Sequence, residues 1–157
     1  MTARQSAGVL LYRRTGPDTE VLLGHMGGPF WARKDARAWS LPKGEYQPDQ
    51  EEPEAAARRE FAEELGLPPP AGDWAALGSV RQTGGKVVTV WAVEGDLDPR
   101  LVVPGTFELE WPPRSGRLQR FPELDRVAWW GLDQAREKIV AKQQVFLDRL
   151  GELLASG

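Results

Sequence analysis

The 157-residue chain contains no cysteine and only one histidine, His25. These absences exclude a disulfide framework, a thiolate zinc centre, a thiol nucleophile and a multi-histidine metal cluster. Any metal must therefore be carried by carboxylates. No stretch approaches the roughly 20 apolar residues of a membrane-spanning helix, and Met1 to Gln5 does not open a basic-then-apolar signal segment. A soluble, cytoplasmic protein with no membrane partner is the expectation. Charge of one sign is also scarce overall: 20 basic and 23 acidic side chains leave −3, which argues against holding nucleic acid by global charge.

Hydrophobic residues at 41% and charged residues at 27% are globular values, and the length suits one domain, residues 1–157, rather than two. Ser6 to Tyr12 and Glu20 to Leu23 are short aliphatic runs around the turn signal Thr15-Gly16-Pro17-Asp18, which predicts a hairpin. Leu77 to Val93 alternates on either side of Gly84-Gly85 and predicts another. Phe107 to Trp111 and Arg126 to Trp130 read as further strands. Glu54 to Leu65 reads as a helix with Pro53 at its first position and Gly66 as its stop. Asp133 to Leu154 is a second helical region, broken or continuous. Hairpins mixed with two separated helical regions imply an α/β fold in which a mixed sheet is sandwiched between helices.

Chemistry concentrates between Gly44 and Leu67, where eight acidic side chains stand against two basic ones. On a helix, Glu60, Glu63 and Glu64 occupy positions i, i+3 and i+4 and share one face, while Ala57, Phe61 and Leu65 take the other. Like charges at that spacing repel, so they need a solvated surface or a compensating cation. Arg59, four residues before Glu63, supplies one. A solvated acidic face is the plain alternative, and spacing alone does not decide between the two.

The wider arrangement does decide. Gly44, a loop, Glu51, Arg59-Glu60 with Phe61 next, Glu63-Glu64 and Gly66-Leu67 resemble the box of the Nudix hydrolase family, and every defined position from Glu51 to Leu67 matches. The lead-in Trp39-Ser40-Leu41-Pro42-Lys43-Gly44-Glu45 is also similar to the family's. One departure stands out: six residues separate Gly44 from Glu51, where the family has five. The extra residue falls in a Pro/Asp/Gln loop, where insertions cost little.

The resemblance implies the α/β/α sandwich fold and a divalent cation, Mg²⁺ with Mn²⁺ able to substitute. The activity it implies is water attack on phosphorus in a nucleoside diphosphate linked to a further group. It makes Glu60, Glu63 and Glu64 the metal ligands, with the backbone of Gly44 beside them. Glu60 or a neighbouring glutamate, Glu63 or Glu51 among them, takes the role of handling the water, and Arg59 that of orienting the carboxylates. Hard oxygen ligands suit Mg²⁺, and neutralising a pyrophosphate while activating water is most of what such chemistry requires.

Outside the box, Trp31 to Lys43 carries Arg33, Lys34, Arg37 and Lys43 against Asp35 alone. Lys43 and Arg33 are candidates for substrate phosphate and Trp31 for base stacking, with loop solvation and core packing as the alternatives. His25 reads as structural. Family members recruit a further acid from outside the box, and Glu110 and Glu123 are the two candidates here. Pro112 to Arg120, with Arg114, Arg117 and Arg120, reads as a second basic loop. The stretch from Phe107 to Trp130 is similar to a bacterial Nudix subgroup of predicted nucleoside triphosphate pyrophosphohydrolases.

The expected partner is a small nucleotide: a nucleoside triphosphate, a dinucleoside polyphosphate or a nucleotide sugar. A triphosphorylated RNA 5′ end and a nucleotide-sensing, non-cleaving domain are the alternatives, and the chain is expected as a monomer or homodimer. The family's isopentenyl isomerase branch is disfavoured because it employs a cysteine.

Overall fold

The computed structural model describes residues 4–156. Its centre is strand β1 (Gln5–Thr15), in which every residue from Ser6 to Tyr12 is buried. A strand covered on both faces needs a continuous apolar run rather than an alternating one, which is what SAGVLLY provides. β1 pairs antiparallel with β2 (Asp18–Met26) across the expected turn and parallel with β6 (Val87–Glu94), so the sheet is mixed. β5 (Ala75–Arg81) pairs with β6, the two-residue β3 (Trp39–Ser40) with β2, and β9 (Leu124–Gly131) with the other edge of β2. One edge of β1 is shared, because Gln5 to Gly8 pair with β4 (Lys43–Tyr46) while Tyr12 to Thr15 pair with β2. The sheet therefore opens along β1, and Val9 N–H there donates to Pro42 O at 3.0 Å.

Helices cover both faces, as expected. Helix α1 (Pro53–Leu65) begins with proline at its first turn and ends on Gly66 in the left-handed conformation (φ 66°), whose N–H closes on Ala62 O. Its Ala56, Ala57, Phe61 and Leu65 pack on Ala7, Val9, Leu11, Leu22 and Val93. Fully burying a side chain the size of Phe61 contributes about 1.5–3 kcal/mol. On the opposite face α2 (Leu132–Lys138) and α3 (Gln144–Ser156) place Ala135, Phe146, Leu147 and Leu150 against Leu10, Tyr12, Val21, Leu23 and Val90. Among the described residues no helix is long and apolar enough to cross a membrane.

One feature differs from the sequence reading. The basic stretch at Pro112 to Arg120 is not wholly a loop, since Leu118 opens strand β8 (Leu118–Pro122), which pairs with β7 (Thr106–Glu110) as a separate two-stranded hairpin. Its alternation is masked because most of β8 is exposed. Gly27-Gly28 serves this hairpin: a Cβ on Gly27 would lie 1.9 Å from Pro122 O, and one on Gly28 would lie 3.0 Å from the Phe107 ring.

The lead-in to the box is anchored from the far end of the chain. Buried Gln143 accepts from Leu41 N at 3.0 Å and donates to Ser40 Oγ at 3.0 Å. Gln143→Ala leaves the Leu41 N–H unsatisfied, removes one of the two hydrogen bonds of Ser40 Oγ and opens a void, at a cost of about 2 kcal/mol or more. We expect Tm to fall by roughly 4–8 °C in a calorimetric scan. An unchanged Tm would show that this linkage holds nothing.

Candidate active site

Arg59 organises the acidic face of α1. Its Nε and Nη2 make a two-point contact with the Glu51 carboxylate (3.0 and 2.9 Å), and Nη1 donates to Glu60 Oε1 at 2.9 Å and to Glu63 Oε2 at 3.2 Å. The Glu51 hydrogen bond, followed by those of Glu63 and Glu60, raises the Arg59 pKa, and the same pairing holds the Glu51 carboxyl below its ordinary value. The extra residue between Gly44 and Glu51 is taken up by a turn in which Gln50 and Glu51 both donate to Gln47 O. Glu51 thus reaches Arg59 despite the longer loop.

Gly44 is required by close approach. A Cβ there would lie 2.0 Å from Glu60 Oε2, so only a glycine lets β4 lie against that carboxylate. Glu60 is buried, and burial pushes its carboxyl up against the opposing pull of Arg59. Glu64 makes no hydrogen bond to Arg59, and only the weaker pull of Lys43 opposes its burial. Burial, then repulsion from Glu123 and Glu60, pushes it up to about 8. An acid under this much strain fits a cation as its missing partner.

Glu60, Glu63, Glu64 and Glu123 line one cleft of about 580 Å³ together with Lys43, Gly44, Lys86 and Arg4. With Arg59 Nη1 bonded to both Glu60 and Glu63, no three acids or histidines among the described residues converge as a ready ligand set. Glu63, with 58% of its side chain exposed, is free to turn from Arg59 toward the cleft. Burial lowers the Lys43 pKa, and repulsion from Lys86 lowers it further.

The remaining sequence candidates are placed elsewhere. Glu110 is not among the cleft-lining residues, and its carboxylate accepts from Arg114 N and Gly116 N, capping the β7–β8 turn. Trp31 packs against the α2/α3 side of the core with Lys34 Nζ 5.2 Å from its ring centre, and Arg33 lines a separate pocket. His25 is fully buried, with Nδ1 2.8 Å from Asp125 Oδ1 and Nε2–H donating to Lys34 O at 2.6 Å.

Two cleft residues were not legible in the sequence. Arg4 and Lys86 become neighbours only through the parallel pairing of β1 with β6, where Gln5 stands opposite Val87 and Val87 N donates to Arg4 O. No local pattern encodes a pairing across that separation.

Comparison with known proteins identifies the family. The NUDIX domain family model matches residues 2–150. Similar solved structures include a C. elegans Ap4A hydrolase (21% identity, TM-score 0.67, 99% of this chain and 100% of that one). The NUDIX domain of Shewanella oneidensis NrtR complexed with ADP ribose is similar at 18% identity and TM-score 0.64, covering 98% and 90% of the two chains. A mutT/nudix family protein from Listeria innocua follows at 15% and 0.63, covering 99% and 97%. At these identities the likeness is one of fold. No curated protein matches the chain. With its box folded as a single carboxylate-bearing unit inside the matched stretch, the chain belongs to the Nudix hydrolase family.

Proposed function

We propose that this Nudix pyrophosphohydrolase cleaves a phosphoanhydride bond of a nucleoside diphosphate linked to a further group, by water attack on phosphorus, with a divalent cation such as Mg²⁺. The observation that carries the reading is the composition of the cleft, where five glutamates, Glu45 among them, and three cationic side chains line about 580 Å³. Glu60, Glu63 and Glu64 are the residues that would hold the cation. When bound, it supplies charge neutralisation on the phosphate oxygens and a lowered pKa for water.

The protein's own groups do the rest. Lys43, Lys86 and Arg4 line the same cleft as the acids and bind the phosphate chain, orienting the bond to be broken. Arg59 acts through the carboxylates it positions and does not itself line the cleft. Glu123 is the acid outside the box and accepts the proton of the attacking water. Its nearness to Glu64, which its charge helps to push up, supports that role over Glu110. Of the ligands named for similar structures, Ap4A and ADP ribose, both are nucleoside diphosphate derivatives. A cleft with three cations suits the longer phosphate chain of a dinucleoside polyphosphate.

The assignment is tested by product analysis by mass in ¹⁸O water, with Mg²⁺ and with chelator. The panel comprises nucleoside triphosphates, dinucleoside polyphosphates, nucleotide sugars and a 5′-triphosphorylated RNA. Metal-dependent cleavage with ¹⁸O in a phosphate product is expected. Binding without turnover of any of them would make the domain a sensor. Glu63→Gln should lower kcat about 100-fold or more with the fold retained, and Arg59→Lys should cost about 10–100-fold by losing the two-point grip on Glu51. Full activity in both variants would sink the site assignment.

Glu64 gives a prediction on stability. A carboxyl raised from 4.5 to about 8 keeps its proton in the folded state after the unfolded chain has released it. Folding stability therefore falls as pH rises from about 4.5 to about 8, and the full penalty applies above that. In chelator, Glu64→Gln should melt at least roughly 3 °C above the parent at pH 8.5 and no higher at pH 4. Added Mg²⁺ should close the gap by stabilising the parent. A variant that melts lower than the parent at pH 8.5 would contradict the arrangement.

A further inference from the structure

A second concavity, of about 720 Å³, shares no lining residue with the acidic cleft. It lies on the α2/α3 side of the sheet, where Trp39 and Trp130 pack edge to face with ring centres 5.3 Å apart. Four cations surround them, Arg33, Lys34, Arg126 and Lys138, and the only acid in the lining is Asp35. In a chain of net charge −3 this is a marked local reversal.

The cations are held in place. The Arg126 guanidinium lies 5.3 Å over the Trp39 ring and Lys138 Nζ 4.7 Å over the Trp130 ring, so each cation rests on a ring of the wall, Lys138 half-buried and Arg126 open to solvent. Asp35 engages Lys138 and accepts from Trp39 Nε1 at 3.1 Å, and Arg126 leans toward Asp125 at 3.7 Å. Arg33 and Lys34 make no ion pair with any described residue. The Trp130 indole N–H, buried in the same wall, has no acceptor among the described residues.

The loop that forms the rim is tied down at points the acidic cleft does not use. His25 bridges Asp125 and the Lys34 carbonyl. Arg37 sits in left-handed backbone (φ 60°), which a side chain other than glycine adopts only under constraint. Its N–H donates to Glu137 O at 3.1 Å, and its guanidinium donates to Arg136 O. A strained loop pinned to β2, β9 and α2, with uncompensated cations on it, is a preformed anion receptor rather than a solvated rim. Exposed Ala32 and half-buried Ala128 add a short apolar strip beside the charges.

We propose that this pocket is a second ligand site, separate from the hydrolytic cleft, which binds a group carrying at least two linked phosphates. The shared chemistry is a short phosphate chain, and its source is either inorganic polyphosphate or a nucleotide whose base lies on the apolar strip. Arg126 and Arg33 suit fork-like contacts to phosphate oxygens, and the lysines add point charges. The site does not depend on the hydrolytic assignment, because it uses none of the cleft residues.

The test is isothermal titration calorimetry in excess chelator, with tripolyphosphate, ADP and adenosine as probes. Four proteins are compared: the parent, Lys34→Gln/Arg126→Gln, Ala32→Glu, and a cleft control, Lys43→Gln/Lys86→Gln. Ala32→Glu removes no packing contact and adds one acid at the rim. We expect sub-millimolar binding of tripolyphosphate and ADP to the parent, weakened at least tenfold in both pocket variants and unchanged in the cleft control. Equal affinity for the two probes would identify the phosphate chain alone as the ligand. Tighter ADP binding would identify the nucleotide. The proposal is overturned if neither probe binds, if affinity follows the cleft control, or if adenosine competes as well as ADP.

Discussion

Eight carboxylic acids lie between Gly44 and Leu67, and the helix that carries Glu60, Glu63 and Glu64 would be weakened by their mutual repulsion without the guanidinium of Arg59. That one group hydrogen-bonds to Glu51, Glu60 and Glu63 at once, and it does so from within their own segment. The consequence is a division of labour along the helix. Carboxylates bonded to Arg59 are aimed by it, and Glu51 is also held below its ordinary value, while Glu64, out of its reach, is pushed up by burial against the weaker pull of Lys43. The acid most destabilised in the folded protein is the one a cation would relieve most.

The rest of the architecture brings the other half of the site to that helix. β1 shares one edge between β4 and β2, so the backbone around Pro42 to Gly44 passes through the opening and lies directly against Glu60. The parallel pairing of β1 with β6 carries Arg4 and Lys86 to the same place. Three of the cleft's acids come from one helix, while Glu45, Glu123 and the three cations come from strands and their ends.

This division also explains what could be read in the sequence. The hairpins, the helix bounded by Pro53 and Gly66, and the box from Glu51 to Leu67 are local patterns, and the folded chain reproduces them. Arg4 and Lys86 depend on long-range register and left no local trace. The choice between Glu110 and Glu123 turned on a contact that no alternation reveals: Glu110 is engaged with the backbone of its own turn, so the cleft receives Glu123. β8 was hidden because an exposed strand of a free-standing hairpin has no buried face to impose a period of two. Trp31 and Arg33 were grouped with Lys43 by proximity along the chain, although the fold parts them, with Arg33 lining the second pocket and Trp31 on the core beside it.

The β7–β8 hairpin has a property that follows from how its ends are joined. Gly105 and Thr106 at its entrance and Glu123 at its exit all line the cleft, and Glu123 N donates to Gly105 O at 2.7 Å. That bond staples the two ends together, so the residues between them form an excursion whose length does not alter the position of Glu123. Such a module can grow or shrink without disturbing the chemistry at its base. An acid held in this way keeps its place in space while its distance from the box along the chain is free to change, so spatial position is the surer guide to it than any fixed spacing.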